Sequence, residues 1–314
     1  MTCVLVLVAL ALAFPWGAAL VARRLALVLP PREACWALTG AAVLLAGGTI
    51  AALVGLFQVP FLASLERVSL PRVLEVWPAA VPFACAAGAA MLVQLVLLLR
   101  RWTRHRSLLK RAWRTVGEGT DDGELLVIPA ADVDAFALPA YRGRPGRVVV
   151  TSGMVRALKA GEREVLLAHE RAHLAGRHHL LSAVADLATV VHPALRGLRA
   201  SLAFHLERWA DEGAAAAVGD RRLAAAAIAR AALAGSSRSR GGAYPLLSAV
   251  SGPVPRRVEA LLLPAPTAPR GRARRAGVVA LAGTVVVAAV AALGLAYGLH
   301  EYVEYAAGRL IGAR

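Results

Sequence analysis

Four apolar segments, each long enough to cross a lipid bilayer, constrain this sequence more than any other feature. They cover about residues 3–22, 35–57, 77–99 and 276–298, and none contains an internal Lys, Arg, Asp or Glu. A transmembrane helix needs roughly 20 apolar residues. The hydrophobic fraction of 58% and the mean hydropathy of +0.59 agree with this interpretation. We therefore expect a mostly α-helical, polytopic membrane protein with four transmembrane helices.

Basic residues beside these segments predict their orientation, because Lys and Arg concentrate in cytoplasmic loops. Three arginines separate the first two segments, the run RRWTRHRSLLKRAWR follows the third, and RGRARR precedes the fourth. The first segment has no basic n-region, so we favour a transmembrane helix over a cleaved signal peptide. We expect a plasma-membrane protein with its N-terminus outside and the long segment between the third and fourth helices in the cytoplasm.

The domain organisation follows from this topology. Residues 1–100 hold three transmembrane helices, residues 101–275 a cytoplasmic domain, and residues 276–314 the fourth helix with a short extracytoplasmic tail. The net charge of +16 can also indicate nucleic-acid binding, but the basic residues flank apolar runs and aromatic residues make up only 5%. We interpret these charges as anchors for acidic lipid head groups. The expected partner is therefore the bilayer and not nucleic acid, and the Ala- and Gly-rich helices are compatible with an oligomer.

The cytoplasmic domain begins with strand-like sequence. The runs ELLVIP, DAFALP and GRVVVTSG, separated by Pro and Gly, predict a small sheet of about three strands. The run GRVVVTSG, residues 146–153, is either an unpaired edge that can bind an extended substrate or an interior strand. From Gly235, a mixture of Gly, Ser, Pro and Arg predicts a partly flexible linker, which we favour over a self-cleavage site.

Three helices are expected between the strands and this linker. Thr151 or Ser152 can cap a short first helix. The second runs from about residue 162 into the 180s, and Pro193 then interrupts the helical geometry. The third covers about residues 195–218. With the strands, these helices indicate an α+β domain.

The sequence HERAH carries the strongest chemical signal in the chain. His169 and His173 are spaced i and i+4, which puts two imidazoles on one helical face, where both can bind a single zinc ion. Glu170 is offset by about 100 degrees, near the open coordination position where a general base is needed. The alternative is a helix with polar residues on its solvent-exposed face.

A catalytic zinc site also needs a third protein ligand and a vacant position for water. Glu207, in LERWAD, supplies a carboxylate 34 residues after His173, a spacing that allows a returning helix to bring it back. Asp211, one turn beyond Glu207, can accept a hydrogen bond from a ligand imidazole and fix its tautomer. We therefore predict Zn²⁺ as the cofactor, with His169, His173 and Glu207 as its ligands.

Three further histidines and one arginine lie close in the sequence to the motif or to Glu207. His178 and His179 can stabilise an oxyanion or act as alternative ligands, but at five and six residues past His173 they do not continue the same helical face well, so we favour a non-ligand role. For Arg177 we favour a salt bridge or a lipid contact. His205 lies two residues before Glu207 and so on another side of that helix.

These motifs resemble the gluzincin membrane metallopeptidases. HERAH followed by ExxAD, here Glu207, Ala210 and Asp211, is similar to two groups: the heat-shock-type membrane quality-control proteases and the antirepressor-cleaving β-lactam sensor-transducers. The preceding stretch AFALPAYRGRPGRVVVTSGMVRAL is also similar to theirs. The resemblance implies a zincin-like fold, the zinc ligands predicted above, and Glu170 as the general base.

Three helices, a cytoplasmic peptidase domain and a fourth helix match the sensor-transducer arrangement best. Those proteins carry an extracellular penicillin-binding domain after the last helix, whereas this sequence continues there as HEYVEYAAGRLIGAR, so β-lactam sensing by that route is not expected. The leading hypothesis is a zinc endopeptidase that cleaves a protein at the cytoplasmic face in signalling or quality control. A transcriptional repressor and a damaged membrane protein are candidate substrates. The alternative is a non-catalytic signalling or scaffold protein with a structural zinc site; a transporter is disfavoured because no segment contains an ionisable residue.

Overall fold

The chain, in a computed structural model, is mostly helical with one small sheet. The structure describes residues 2–65, 78–116, 123–236 and 253–266, with isolated positions elsewhere. The described helices are α1 Thr2–Ala26, α2 Pro31–Leu65, α3 Ala80–Thr115, α4 Ser152–Ala157, α5 Ala160–Ala175, α6 His178–Val191, α7 Arg196–Val218, α8 Arg221–Ser236 and α9 Val254–Leu262. The strands are β1 Leu125–Ile128, β2 Ala135–Leu138 and β3 Arg147–Thr151.

Two of the described helices are long and apolar enough to cross a membrane by length and composition. They are Pro31–Gln58 within α2 and Ala80–Thr115, which is α3. Only 11% of the apolar window of α3 is buried, compared with 44% for α2. The predicted first helix coincides with α1. The predicted fourth helix, about residues 276–298, lies outside the described residues except for single positions.

One apolar core joins the N-terminal helices to the helices that follow the HERAH motif. Leu38 and Leu45 of α2 are buried together with Leu181 of α6 and with Leu198 and Leu202 of α7. This core contains helices from both sides of residue 100, because α6 and the first half of α7 pack against α1 and α2.

Polar contacts reinforce this packing along α3. Gln94 Nε2 donates to the backbone oxygen of Val191 at 3.0 Å, at the end of α6. Seven residues further along α3, Arg101 Nη1 donates to Asp186 Oδ1 at 2.7 Å. The antiparallel pair α6 and α7 is thus fixed to the N-terminal helices by both apolar and polar contacts, and it connects them to the site described below.

The three predicted strands are present and form one sheet in the order β1-β3-β2. The central strand β3 pairs in parallel with β1, with Val149 opposite Leu126. It pairs antiparallel with β2, with Val149 opposite Phe136. Every residue of β3 is buried. The run at residues 146–153 is therefore an interior strand, and the alternative that it offers a free edge to a substrate is wrong.

The helix predicted to run from about 162 into the 180s is interrupted. It ends at Ala175, and a second helix starts at His178. Gly176 caps the first helix, and Arg177 adopts a left-handed conformation with φ of 49°. A left-handed residue reverses the local chain direction, which is why it often terminates a helix. The following break at Pro193 and the helix from Arg196 to Val218 agree with the prediction.

Helix α9 lies within the segment for which the sequence predicts partial flexibility. Its residue Leu261 is 1% exposed and belongs to a core with residues of α5, α7 and α8. The guanidinium group of Arg221, at the start of α8, donates to the backbone oxygens of Leu261 and Leu263 at the end of α9. These contacts hold α9 against α7 and α8.

Candidate metal centre

Helices α5 and α7 bring His169, His173 and Glu207 together. The Nε2 atoms of the two histidines are 3.1 Å apart. Glu207 Oε2 lies 3.7 Å from His169 Nε2, and Glu207 Oε1 lies 3.6 Å from His173 Nε2. Zinc bonds of about 2.0–2.1 Å in tetrahedral geometry require ligand atoms about 3.3 Å apart. The three side chains are therefore spaced for one small metal ion.

The pKa values of the two histidines also indicate a cation site. Burial lowers the pKa of His169, but two carboxylates, Asp211 at 3.0 Å from Nδ1 and Glu207 at 3.7 Å from Nε2, outweigh the effect of burial, so the pKa rises to about 10. Burial and the charge of His169 lower the pKa of His173 to about 3. The two carboxylates thus favour one positive charge at this position, which a bound metal ion can supply in place of a proton. The donor set and its spacing fit zinc.

Asp211 fixes the orientation of His169. It lies one turn beyond Glu207 on α7, and its Oδ1 atom is 3.0 Å from His169 Nδ1. Burial raises the pKa of Asp211, but hydrogen bonds from Arg257 and His169 lower it to about 2, so the side chain is a carboxylate at neutral pH. A carboxylate at this position holds the proton on Nδ1 and leaves Nε2 free as a ligand atom.

Glu170 lies beside the cluster and faces the sheet. Its side chain is buried, and this burial raises its pKa to about 7. The positive charge of His169 and a hydrogen bond from the backbone of Ala137 in β2 oppose this increase. A carboxyl group with a pKa near neutrality can both accept and return a proton, as general acid–base catalysis requires.

His178 contacts the second histidine of the motif. Its Nδ1 atom is 2.7 Å from Nδ1 of His173. The close approach needs Gly176, because a Cβ atom there would lie 2.4 Å from His178 Nε2. The His178 ring packs against Trp209 with ring centroids 4.6 Å apart, and Arg32 of α2 lies over Trp209. The left-handed residue Arg177 turns the chain after α5 ends. This turn places His178 beside His173, on the side of α5 that carries the two histidines of the motif.

Three other residues of interest lie outside the cluster. His179 and Arg177 are exposed beside the turn. His205 is buried on α7 but is not among the residues that could share a metal ion within the described ranges. The non-ligand role favoured from the sequence for His178 and His179 stays a prediction.

Comparison with known proteins adds one finding. Residues 100–241, a little under half of the 314-residue chain, match Peptidase family M48. The match supports a zinc metallopeptidase. It includes the three strands, HERAH, Glu207 and Asp211, and it ends before α9. No curated protein and no solved structure matches the chain significantly.

Sequence reasoning did not identify Arg257. This residue of α9 is 4% exposed and contacts both Glu207 and Asp211. One signal was available: Val254, Val258 and Leu261 are spaced as one apolar helical face, and Arg257 falls on that face. An arginine on the buried face of a helix needs acidic partners, since a buried charge is costly when it is unpaired.

Proposed function

We propose that this protein is a zinc-dependent membrane endopeptidase that cleaves a protein substrate at the cytoplasmic face of the membrane. The observation that carries the proposal is the cluster of His169, His173 and Glu207 next to the buried carboxyl group of Glu170. Within the described residues this cluster has three potential ligands. A structural zinc site is normally closed by a fourth protein ligand, whereas a catalytic site keeps one position open. A cluster of three potential ligands therefore favours a catalytic site over a structural one.

The residues of the site divide the chemistry between them. His169, His173 and Glu207 would hold the metal, which when bound polarises a peptide carbonyl and makes a water molecule more acidic. Glu170 accepts the proton of the attacking water and returns it to the leaving amine. Its pKa of about 7 suits both steps near neutral pH.

The edge of the sheet supports a polypeptide substrate. Strand β2 is the sheet edge that contacts α5. Asp134 accepts a hydrogen bond from the backbone of Thr151 at 3.0 Å, and Phe136 lies opposite Val149. Backbone groups alternate along an antiparallel strand, so those of Ala135 and Ala137 point away from β3. The Ala137 N–H already donates to Glu170, so an extended peptide beside Glu170 can pair with the outward backbone groups of Ala135.

The membrane placement rests on the apolar helices and on their charges. We propose four transmembrane helices with residues 101–275 in the cytoplasm, consistent with the basic run at 100–114 after the apolar part of α3. The core that joins α1 and α2 to α6 and α7 supports a peptidase site held close to the bilayer. A transcriptional repressor or a damaged membrane protein would then meet the site at the membrane surface.

The test compares newly formed protein N-termini in cells that express wild type, Glu170→Gln or Glu164→Gln at equal levels. Glu164 is exposed on the same helix and serves as the matched control. We expect specific N-termini in the wild type and in Glu164→Gln that are absent in Glu170→Gln, while zinc content is unchanged in all three. Full activity in Glu170→Gln would refute the assignment. If instead Glu170→Gln has no effect and His169→Ala unfolds the domain, the zinc site is structural.

A further inference from the structure

Arg257 uses every nitrogen of its guanidinium group on the carboxylates of the metal centre. Nε lies 2.8 Å from Asp211 Oδ2, and Nη2 lies 2.7 Å from Asp211 Oδ1. Nη1 lies 2.9 Å from Glu207 Oε2. The contact to Asp211 is a bidentate arginine–carboxylate pair, which is stronger and geometrically more specific than a single hydrogen bond. One side chain of α9 therefore orients two acidic residues of α7.

The charge of Arg257 interacts with the carboxylates of Asp211 and Glu207 and with that of Glu170. Its neighbours on the same face of α9, Val258 and Leu261, pack in the apolar core with α5, α7 and α8. An apolar residue at 257 would extend that core, so an arginine is required by the acidic side chains opposite and not by helix packing. The matched family region ends at residue 241 and does not include this contact.

The contact with Glu207 distinguishes its two oxygens. Both oxygens lie at similar distances from a ligand histidine, Oε1 at 3.6 Å from His173 Nε2 and Oε2 at 3.7 Å from His169 Nε2. The shortest contact of Arg257 with Glu207 is to Oε2, at 2.9 Å. A carboxylate oxygen that accepts a charge-assisted hydrogen bond has less electron density to give to a metal. The arginine thus favours metal binding through Oε1 alone. It also holds Asp211, which orients His169.

We propose that Arg257 is a positioning residue of the metal centre, which restricts Glu207 to one metal-binding oxygen and keeps Asp211 aligned with His169. The inference rests on the proposed zinc site. Its consequence is that α9 belongs to the catalytic unit, although the chain between α8 and α9 carries no part of the metal-ligand motif. With Glu207 limited to one oxygen, a bound metal keeps a position open for the reaction.

The test uses the full-length protein in detergent, with Co²⁺ in place of Zn²⁺, and compares Arg257→Met, Arg257→Lys and Arg256→Met. Arg256 is the exposed neighbour on the same helix and is the control for charge. Visible Co²⁺ absorption reports the coordination number, because four-coordinate Co²⁺ absorbs more strongly than five-coordinate Co²⁺. Competition with a chelator gives the zinc affinity independently of peptidase activity.

We expect Arg257→Met to bind Co²⁺ with weaker visible bands, since Glu207 becomes free to bind through both oxygens, and to lose about 10–100-fold in zinc affinity. Arg257→Lys should recover part of the affinity but not the wild-type spectrum, because an ammonium group cannot make the bidentate contact. Arg256→Met should match the wild type.

Wild-type spectrum and affinity in Arg257→Met would overturn the proposal. If Arg257→Met does not fold, Arg257→Lys decides: a wild-type spectrum there would show that positive charge alone is sufficient and that no positioning occurs. If the wild-type protein binds neither Co²⁺ nor Zn²⁺, the proposed metal site itself fails. That result is distinct from a failure of the role assigned to Arg257.

Discussion

The two histidines of the HERAH motif lie one turn apart on α5, yet their Nδ1 atoms face different partners. His169 Nδ1 lies 3.0 Å from the carboxylate of Asp211, which is paired with Arg257. His173 Nδ1 lies 2.7 Å from Nδ1 of His178. The side of the centre around His169, the His169 side, is a buried ionic network. The side around His173, the His173 side, is a contact between two imidazoles. Identical ligands can therefore be held in place by charge on one side and, on the other, by a hydrogen bond between rings together with packing on Trp209.

The difference has physical consequences. Asp211 carries a negative charge at neutral pH and makes the His169 ring a stronger donor to a metal. Burial lowers the pKa of His178 to about 4, so this ring is neutral at pH 7 and adds no charge. His178 also packs on Trp209, which lies next to Arg32 of α2. The His169 side is thus closed within α5, α7 and α9, whereas the His173 side connects to the N-terminal helices.

The largest effect is expected from Asp211→Asn. The amide has nearly the same shape but no charge and only one acceptor oxygen. It cannot accept from both Nε and Nη2 of Arg257, and its NH2 group faces a donor in either orientation, which weakens the contact that fixes the tautomer of His169. Breaking a buried ion pair by removing one partner costs about 3–5 kcal/mol, and zinc affinity should fall by about 100-fold. Thermal unfolding and chelator competition measure the two effects. A variant with wild-type stability and affinity would contradict the ionic description of this side.

A smaller effect is expected from His178→Phe. The ring shape is kept and the contact with Trp209 can persist, but the hydrogen-bonding partner of His173 is lost. Since no charge is removed, we expect a loss of about 10-fold in zinc affinity, at the lower end for outer partners of metal ligands. Substitution of the exposed His179 by Phe is the control and should leave affinity unchanged. If His178→Phe weakens zinc binding more than Asp211→Asn, the comparison of the two sides is wrong.

The same contrast separates what the sequence predicts from what it does not. The pair His169 and His173 follows from helical spacing, and Asp211 follows Glu207 by one turn, so local geometry is sufficient. The contact of His178 with His173 depends on the chain reversal at Arg177. The sequence predicts one continuous helix into the 180s, and such a helix does not place His178 next to His173. Gly176 is the available signal, since glycine often marks the end of a helix.

The contribution of Arg257 was missed for another reason. Its contacts require α9 to pack against α7. The composition of the segment between α8 and α9 does not predict that packing. The three strands were predictable from their composition and turns. Their order was not, because strand pairing is decided by contacts between distant segments of the chain. Local patterns therefore gave the ligands and the elements, while tertiary contacts decided how the ligands are held.

The smallest effect, and the sharpest test of the His173 side, is expected from Gly176→Ala. Gly176 has a helical conformation with φ of −77°, which alanine adopts readily. At such a position the change normally stabilises a protein by about 0.4–1 kcal/mol. Here the new Cβ atom would lie 2.4 Å from His178 Nε2, so the ring must move away from His173. We expect a decrease in zinc affinity smaller than that of His178→Phe, because the ring can adjust. In a His178→Ala background the conflict with the ring is absent and only the approach to the Ala172 backbone oxygen, at 3.1 Å, remains, so the same substitution should be close to neutral. Chelator competition and thermal unfolding on all four proteins of this double-mutant cycle give the coupling between the two residues. Additive effects would mean that Gly176 does not act through His178, and the packing description of this side would have to be abandoned.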